Sequence, residues 1–311
     1  MWHLKPLSED TLKWYKDTYL GEIKDDIRNS GIEKKVKDIL FPADGTDVIK
    51  QLLLLPPDKL YPLNNVLEQK IKATGGWTTT RGKILKAFNY DGRISRNKDA
   101  AYELSQRIDT RTCVYCNRIY AFTVEAEDGT PITRPDFDHW LSKEKHPLVS
   151  MSIYNLIPSC PICNRGIKLR KEFEYGSYVH PYTSNEEMKA RFQYAPKVGG
   201  KWKLTFAGGT PEEMNTAKIL KIEDIYRPFE DNEVKDILDF AYANPPEYLM
   251  DLREKVMKAY GGSISKEHAY RLIFGTEMKA SLFSDRPLSK MKRDVLKQLQ
   301  EALKIDLINF D

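Results

Sequence analysis

The apolar residues of the first hundred positions recur every three or four residues, which is the spacing of amphipathic helices. The first predicted helix begins at Ser8 and can end at Gly31. Its apolar face consists of Leu12, Tyr15, Tyr19, Ile23 and Ile27. Three further predicted helices cover Ile32 to Ile39, Val48 to Leu55, and Leu60 to Lys72. We therefore predict an N-terminal helical region over residues 1–110.

The pattern changes after Arg111, where apolar residues begin to alternate with polar ones. The stretch Ile119–Glu125 alternates and is rich in β-forming residues, and a turn signal at 128–129 follows it. Ile132–Phe137 can then return as a second strand, and Asn164–Lys171 contains no proline and is typical of a helix. The pattern thus predicts a strand–strand–helix module over residues 111–175.

A second hairpin is predicted near residues 192–206, because two stretches rich in β-forming residues flank Gly199 and Gly200. Five helices separated by proline and glycine follow: Ala217–Ile225, Glu233–Ala243, Pro246–Tyr260, Lys266–Phe274 and Leu288–Leu303. The C-terminal region, residues 176–311, is therefore mostly helical. The whole pattern predicts a mainly α-helical α+β fold in which helical regions flank a ββα module.

Composition narrows the class of protein without deciding its function. The 311 residues are 41% hydrophobic, which is enough for a core, and 49 basic against 45 acidic residues leave a formal net charge of +4. Such a mild excess suits an anionic partner only where positive charge clusters. The start MWHLKPLSED lacks the features of a secretory signal, and the apolar run Leu52–Leu55 is too short to span a membrane. We therefore expect a cytoplasmic protein with no membrane role.

All four cysteines lie in two Cys-x-x-Cys pairs, Cys113 with Cys116 and Cys160 with Cys163. This is the ligand number and spacing of a structural zinc site. A disulfide or redox role is the alternative, but a reducing cytosol disfavours disulfides and a thioredoxin-like motif would not come in duplicate. Four thiolates fill the coordination sphere of Zn²⁺ and leave no position for a catalytic water. A zinc-stabilised scaffold without catalysis remains open on these residues alone.

Four polar residues between and just after the cysteine pairs favour catalysis: Asp138, His139, Asn155 and Asn164. Phosphodiester hydrolysis requires a base that activates water and a cation that neutralises developing charge. A neutral histidine suits the first role, while Asp138 and Asn164 offer the oxygen ligands that Mg²⁺ prefers. Because adjacent strand residues point to opposite faces, Asp138 and His139 can serve one centre only where the strand ends or bulges. We therefore expect an irregular strand at this point.

The runs FDHW, NLIPSC and CNRGIK give about sixty residues of the chain a strong resemblance to the HNH endonucleases, whose catalytic unit is a ββα-metal finger. The longer sequence FDHWLSKEKHPLVSMSIYNLIPSCPICN is most similar to the PtuB-like HNH subunits of Septu-type and retron-associated anti-phage systems. The resemblance implies a nuclease effector that works beside a PtuA-like ATPase partner.

The resemblance also implies a role for each candidate residue. His139 matches the general base, and Asp138 matches the metal-binding acid beside it. Asn155 matches the middle asparagine, which orders the loop through hydrogen bonds, and Asn164 matches the last position of the signature. The catalytic ion implied is Mg²⁺ or Mn²⁺, bound by Asp138 and Asn164, beside the structural Zn²⁺ of the cysteines. Lys168 stands where some relatives have a further histidine, and we expect it to contact phosphate.

A positive patch follows the second cysteine pair and consists of Arg165, Lys168, Arg170 and Lys171. Next to a scissile phosphate this patch would add affinity and strong salt dependence. DNA is the favoured substrate and RNA remains open, because a single-metal phosphodiesterase acts on the phosphate and surrounding surfaces select the nucleic acid. A non-catalytic module that binds nucleic acid or docks a partner is the alternative function, and the role of His146 stays open.

Overall fold

The computed structural model of the chain describes residues 1–169, 171–184, 187–261 and 264–304. Contacts divide these residues into two compact units. The first unit comprises residues 2–110 and 121–184, and the second comprises residue 1, residues 111–120 and the described residues from 187 onward. The N-terminal helices therefore belong to the same unit as the stretch that carries Asp138 and His139.

The N-terminal part of the first unit is helical, as the apolar spacing predicts. Its α-helices are α1 (Glu9–Asn29), α2 (Lys34–Leu40), α3 (Val48–Leu54), α4 (Pro57–Ala73), α5 (Trp77–Phe88) and α6 (Lys98–Ile108). α1 begins where the side chain of Ser8 accepts a hydrogen bond from the amide of Thr11, which satisfies one of the unpaired donors at the helix start. Tyr15, Tyr19, Ile23 and Ile27 of the predicted apolar face are buried. This face packs α1 against α3 and α5.

The hairpin predicted over Ile119–Phe137 is present but short. Its strands are β1 (Val124–Glu125) and β2 (Pro131–Thr133), which pair antiparallel. The prediction of a second strand that runs on to Phe137 was wrong. Pro135 interrupts it, because proline has no amide hydrogen to donate to a strand ladder.

A separate pair of strands carries the candidate site. β3 (Asp136–His139) pairs antiparallel with β4 (Leu156–Ser159), and His139 lies opposite Leu156. β4 leads into a π-helical segment, Ile162–Lys168, which contains the second cysteine of the second pair. The two strands that lead to this helical segment are therefore β3 and β4 and not the two predicted strands, and residues 140–155 form the loop between them.

The second unit contains the hairpin predicted near residues 192–206 and six α-helices. The strands of the hairpin are β5 (Arg191–Lys197) and β6 (Lys201–Ala207), which pair in continuous register. The helices are α7 (Pro211–Ile219), α8 (Ile222–Tyr226), α9 (Lys235–Ala243), α10 (Pro246–Ala259), α11 (Lys266–Phe274) and α12 (Ser289–Leu303). The predicted helix Ala217–Ile225 was wrong as a single element, because Lys221 adopts a left-handed φ of 52° and separates α7 from α8.

α7 also begins earlier than its apolar spacing predicts. The Thr210 hydroxyl accepts from the amide of Glu213, and the Glu213 carboxylate accepts from the amide of Thr210. This reciprocal capping box fixes the start of the helix at Pro211. The sequence Thr-Pro-Glu-Glu carries the signal for it.

Helices outweigh the three two-stranded antiparallel sheets, so the described chain has a mainly α-helical α+β fold. A helix that crosses a membrane must be both long and apolar. None of the described helices meets both requirements.

Candidate active site and cysteine cluster

Four buried cysteines come together, as their spacing predicts. The Sγ atoms of Cys113, Cys116, Cys160 and Cys163 all lie within 4.8 Å of one another, and each residue is at most 2% exposed. Thiolates around one zinc ion, at a Zn–S distance of about 2.3 Å, would be roughly 3.8 Å apart. The cluster could therefore hold a zinc ion, and a site with four thiolates is a structural one.

The first cysteine pair lies in a tight turn held by its own backbone hydrogen bonds. The amide of Asn117 donates to the carbonyl of Cys113 at 2.8 Å, and the amide of Cys113 donates to the carbonyl of Ile119 at 3.0 Å. Asn117 has a φ of 49°, a left-handed conformation that asparagine tolerates better than most residues. Its side-chain amide donates to the carbonyl of Phe283 at 2.6 Å, which anchors the turn within the second unit.

The second cysteine pair lies at the start of the π-helical segment: Cys160 precedes the segment and Cys163 lies within it. The amide of Cys163 donates to Sγ of Cys160 at 3.4 Å, and the amide of Asn164 donates to the carbonyl of Cys160 at 3.0 Å. A hydrogen bond from an amide to sulfur favours the thiolate, which is the form that binds metal. Asn164 directly follows Cys163, and a zinc ion bound to Cys163 would therefore hold the backbone of Asn164 in place.

Asp138 and His139 lie at the end of β3 and line one cleft of the first unit. The cleft has a volume of about 890 Å³, and Asn164 lines it as well. The register of β3 with β4 is continuous, so the strand does not bulge, but it ends at His139. The end of the strand allows two adjacent side chains to reach the same cleft.

His139 is held by one hydrogen bond and one aromatic ring. Its Nε2 lies 2.9 Å from the carbonyl oxygen of Ser150, and its ring meets the ring of Tyr90 edge-on at a centroid distance of 4.3 Å. Because a carbonyl can only accept, Nε2 carries the proton and Nδ1 keeps its lone pair. Burial lowers the pKa of His139 from its usual 6.5 to about 4, and the charges of Lys143 and Lys168 act in the same direction. The imidazole is therefore neutral at pH 7.

Asn155 is fully buried and closes the loop that follows His139. Its side-chain oxygen accepts from the amide of Leu141 at 2.8 Å, and its side-chain nitrogen donates to the carbonyls of Leu141 (3.0 Å) and Val149 (3.1 Å). Val149 directly precedes Ser150, whose carbonyl holds His139. Asn155 thus fixes the backbone that positions the imidazole.

Asn155 is supported by a hydrogen-bond network that was not predicted from the sequence. The hydroxyl of Tyr61 donates to the side-chain oxygen of Asn155 at 3.2 Å, and Nε2 of His180 lies 3.0 Å from the same hydroxyl. The amide of Tyr182 donates to Nδ1 of His180, so Nε2 must carry the ring proton. His180 is 2% exposed, and burial lowers its pKa to about 3. No local pattern marks this network, because Tyr61 is 94 residues from Asn155 and 119 residues from His180 along the chain.

Stability should therefore fall in acid as His180 is protonated. The folded pKa of about 3 lies below the usual 6.5, so the unfolded chain binds more protons between these values and unfolding becomes easier as the pH falls below 6.5. From pH 6.5 to pH 5 this residue alone should cost roughly 2 kcal/mol of unfolding free energy. Urea denaturation at pH 7.5 and pH 5 measures the loss. His180→Gln should be less stable at pH 7.5 but lose less in acid, and an equal loss in both proteins would contradict this role.

Lys168 contacts a carboxylate inside the cleft. Its Nζ lies 2.8 Å from Oδ2 and 3.1 Å from Oδ1 of Asp138, and it donates to the carbonyl of His139 at 2.6 Å. Both side chains are almost fully buried. The expected phosphate contact of Lys168 would therefore require it to leave or share this ion pair. In this arrangement Lys168 neutralises Asp138 and fixes the end of β3.

Asp136 is a second carboxylate of the cleft, and it was not among the residues predicted from the sequence. It lies two residues before Asp138 and thus on the same strand face, which the sequence Asp-x-Asp could have indicated. The side-chain nitrogen of Asn164 donates to Asp136 at 3.2 Å, and the guanidinium of Arg165 binds both oxygens of Asp136 at 2.9 Å. β3 and the π-helical segment are thus joined by paired charges along the cleft.

Lys171 also lines the cleft, and Arg170 lies outside the described residues. Much of the positive charge here is balanced, since Lys143 lies 2.5 Å from Asp91 and Lys145 lies 2.9 Å from Glu172. Outside the cleft lining, Nδ1 of His146 lies 2.9 Å from the buried carboxylate of Glu68 in α4. Burial raises the pKa of Glu68, but hydrogen bonds from His146 and Lys72 outweigh it and keep that pKa below its usual range. The contact gives His146 a packing role between α4 and the loop.

The predicted residues thus lie in two arrangements, the cysteine cluster and the cleft, and Asn155 supports the loop behind the cleft. Comparison with known proteins finds no matching family model, no matching curated protein and no matching solved structure.

Proposed function

We propose that the chain is a metal-dependent HNH endonuclease that hydrolyses phosphodiester bonds in nucleic acid, with DNA as the favoured substrate. One observation carries the proposal. His139 keeps its proton on Nε2, bonded to the Ser150 carbonyl, and so offers an unprotonated Nδ1 in a cleft that Asp138 and Asn164 also line. A neutral imidazole beside hard oxygen ligands is the donor set that metal-assisted hydrolysis requires.

Each residue has a role in this proposal. Nδ1 of His139 accepts the proton of the attacking water, and Asn155 keeps the loop in the conformation that orients the ring. The nitrogen of Asn164 is bonded to Asp136, which leaves its amide oxygen for a cation, and Asp138 supplies a carboxylate. These oxygens fit Mg²⁺ or Mn²⁺, which would stabilise the charge that develops on the phosphate. Arg165 adds positive charge beside the substrate.

The biological setting rests on the sequence resemblance alone. We propose that the nuclease is the effector of an anti-phage defence system and that an ATPase partner controls it. The segment Thr112–Arg170 supports this assignment because it contains the sequence motifs that carry the resemblance. Both cysteine pairs and the residues Asp138, His139 and Asn164 lie in it. A zinc ion on Cys113, Cys116, Cys160 and Cys163 would hold the ends of this segment.

A non-catalytic module that binds nucleic acid or docks a partner is the second candidate. The ion pair of Lys168 with both oxygens of Asp138 favours it, because the ammonium group occupies the carboxylate that a catalytic ion would use. A divalent ion would have to share Asp138 with Lys168 or displace it. The two candidates therefore differ in whether added divalent ions change what the protein does to nucleic acid.

The test incubates the full chain with supercoiled plasmid DNA and with labelled RNA, alone and together with the product of any neighbouring ATPase gene and ATP. Divalent ions are omitted or supplied as Mg²⁺ or Mn²⁺; no chelator is added, because it would also remove zinc. We expect nicked and linear DNA only where Mg²⁺ or Mn²⁺ is present. Binding without cleavage under every condition would favour the non-catalytic module and reject the nuclease.

A further inference from the structure

The β5–β6 hairpin of the second unit has one face that the described residues leave open. Its inward side chains are packed. Phe192 and Phe206 are each 1% exposed, and the ring centroids of Phe192 and Tyr226 are 4.4 Å apart. Alternate residues point outward. Apart from two alanines, the outward residues are Arg191, Gln193, Lys197, Lys201, Lys203 and Thr205.

Side chains from the helices cover both edges of this two-stranded sheet. On β5, the amide of Phe192 donates to Asp294 and the amide of Tyr194 donates to Gln298, both at 2.9 Å. On β6, the carboxylate of Glu230 accepts from the amide of Leu204 at 2.7 Å. Capped edges cannot add a further strand. The outward face is therefore the part of the hairpin that can meet a partner.

The outward face carries positive charge and no acidic residue. Lys197 lies directly opposite Lys201, an arrangement of like charges that destabilises a strand pair. Lys197 is compensated by Glu230 at 2.6 Å. Among the described residues, Arg191, Lys201 and Lys203 have no carboxylate partner within ion-pair distance. Three uncompensated cations on one open face indicate a polyanionic partner.

Positive charge also surrounds the base of the hairpin. Arg293 and Lys297 of α12 lie near Arg191, and acidic residues lie there as well: burial lowers the pKa of Lys297, the charges of Arg293 and Arg191 lower it further, and those of Glu187 and Asp294 raise it. Arg293 is paired with Glu187, so Arg191 is the cation at this end of the hairpin that is left for a phosphate.

The shape of the hairpin narrows the class of polyanion. A pair of seven-residue strands is about 23 Å long, and the 12 Å major groove of B-form DNA admits a two-stranded ribbon. The major groove of A-form RNA is too deep and narrow for side chains to read. Arginine, glutamine, lysine and threonine, the outward residue types here, are also the types that bond base edges in the DNA groove.

We propose that the outward face of the β5–β6 hairpin binds the major groove of double-stranded DNA. This inference rests on the proposed function, because it names the substrate that the nuclease would hold. Arg191, Lys201 and Lys203 contact backbone phosphates at the groove edges, and Gln193 and Thr205 face the bases. The inner face and the edges stay packed, so binding requires no rearrangement of the sheet.

The test measures fluorescence anisotropy of a labelled 30-base-pair duplex DNA from about 50 to 300 mM KCl. The full chain carries His139→Ala to prevent cleavage, and the test variant adds Arg191→Gln, Lys201→Gln and Lys203→Gln. A control with the same net charge instead adds Lys218→Gln, Lys255→Gln and Lys266→Gln, which change exposed lysines on helices of the same unit. Each lost phosphate contact lowers the slope of log K against log salt by about 0.9. We expect the slope to fall by about 2 to 3 and the affinity at 100 mM to fall at least 10-fold in the hairpin variant alone.

Equal binding by the hairpin variant and the charge-matched control would overturn the inference. So would equal affinity for duplex RNA of the same sequence with an equal loss in the hairpin variant, because an A-form groove cannot take the ribbon. Circular dichroism melting confirms that each variant is folded. Cleavage is measured separately with chains that keep His139, with and without the three hairpin substitutions, and this measurement separates the two proposals. If the hairpin variant binds more weakly and no cleavage is seen with either chain, this inference stands and the nuclease is rejected. If the hairpin variant binds with full affinity and still cleaves, the nuclease stands and this inference is rejected.

Discussion

His139→Ala should lower the rate of DNA cleavage by about 10²- to 10⁴-fold, which is the contribution that a positioned general base makes. The variant loses the Nδ1 lone pair that would accept the proton of water in the proposed reaction, and nothing else in the described cleft offers a neutral imidazole. It also loses the bond from Nε2 to the Ser150 carbonyl, a cost of about 1 kcal/mol. Zinc content and melting temperature should therefore change little. Plasmid nicking with Mg²⁺ or Mn²⁺, followed over time, measures the rate.

His139→Gln is the matched control for structure. The side-chain nitrogen of glutamine can still donate to the Ser150 carbonyl, as Nε2 does, but the amide has no basic nitrogen. This variant should be as stable as the original protein and as inactive as His139→Ala. A cleavage rate within 10-fold of the original in either variant would mean that another group activates the water, and the assignment of His139 would fail.

The sequence predicts long amphipathic elements well and short buried ones poorly. α1 and α12 are recognisable because each repeats its apolar spacing over several turns. β4 is not recognisable, because all four of its residues are buried, it shows no alternation and it contains Pro158. A buried run of four residues has no period that separates a strand from a loop. The structure therefore adds the strand that pairs with Asp138 and His139.

The candidate site also combines a feature that the sequence predicts with contacts that it does not predict. Cysteine spacing is a local pattern, and the sequence correctly predicts that the four cysteines come together. The partners of the other site residues depend on tertiary contacts: Lys168 is thirty residues from Asp138, and Tyr61 is more than ninety from Asn155. An ion pair or a hydrogen bond between such distant residues leaves no period in the sequence. Charge state and orientation at the site therefore came from the structure.

Cys160→Ser should remove bound zinc and, with it, most of the stability of the chain. Four thiolates within 4.8 Å repel one another unless a cation or protons neutralise them. Structural zinc contributes roughly 10 to 16 kcal/mol in zinc-finger peptides, whereas the stability of a whole domain is about 5 to 15 kcal/mol. We therefore expect about one zinc per chain in the original protein by elemental analysis. Cys160→Ser should have little zinc and no cooperative melting transition near that of the original.

Ser159→Ala is the control for this change, because it alters the adjacent buried residue without touching a thiolate. The hydroxyl of Ser159 has no hydrogen-bond partner among the described residues, so its removal should shift the unfolding free energy by no more than about 1 kcal/mol. Zinc content should stay at one per chain. If the original protein carried no zinc and Cys160→Ser melted with Ser159→Ala, the cysteines would be ordinary core residues. The loss of both zinc and folding in Cys160→Ser alone would instead mean that the metal holds the segment in which Asp138, His139 and Asn164 lie.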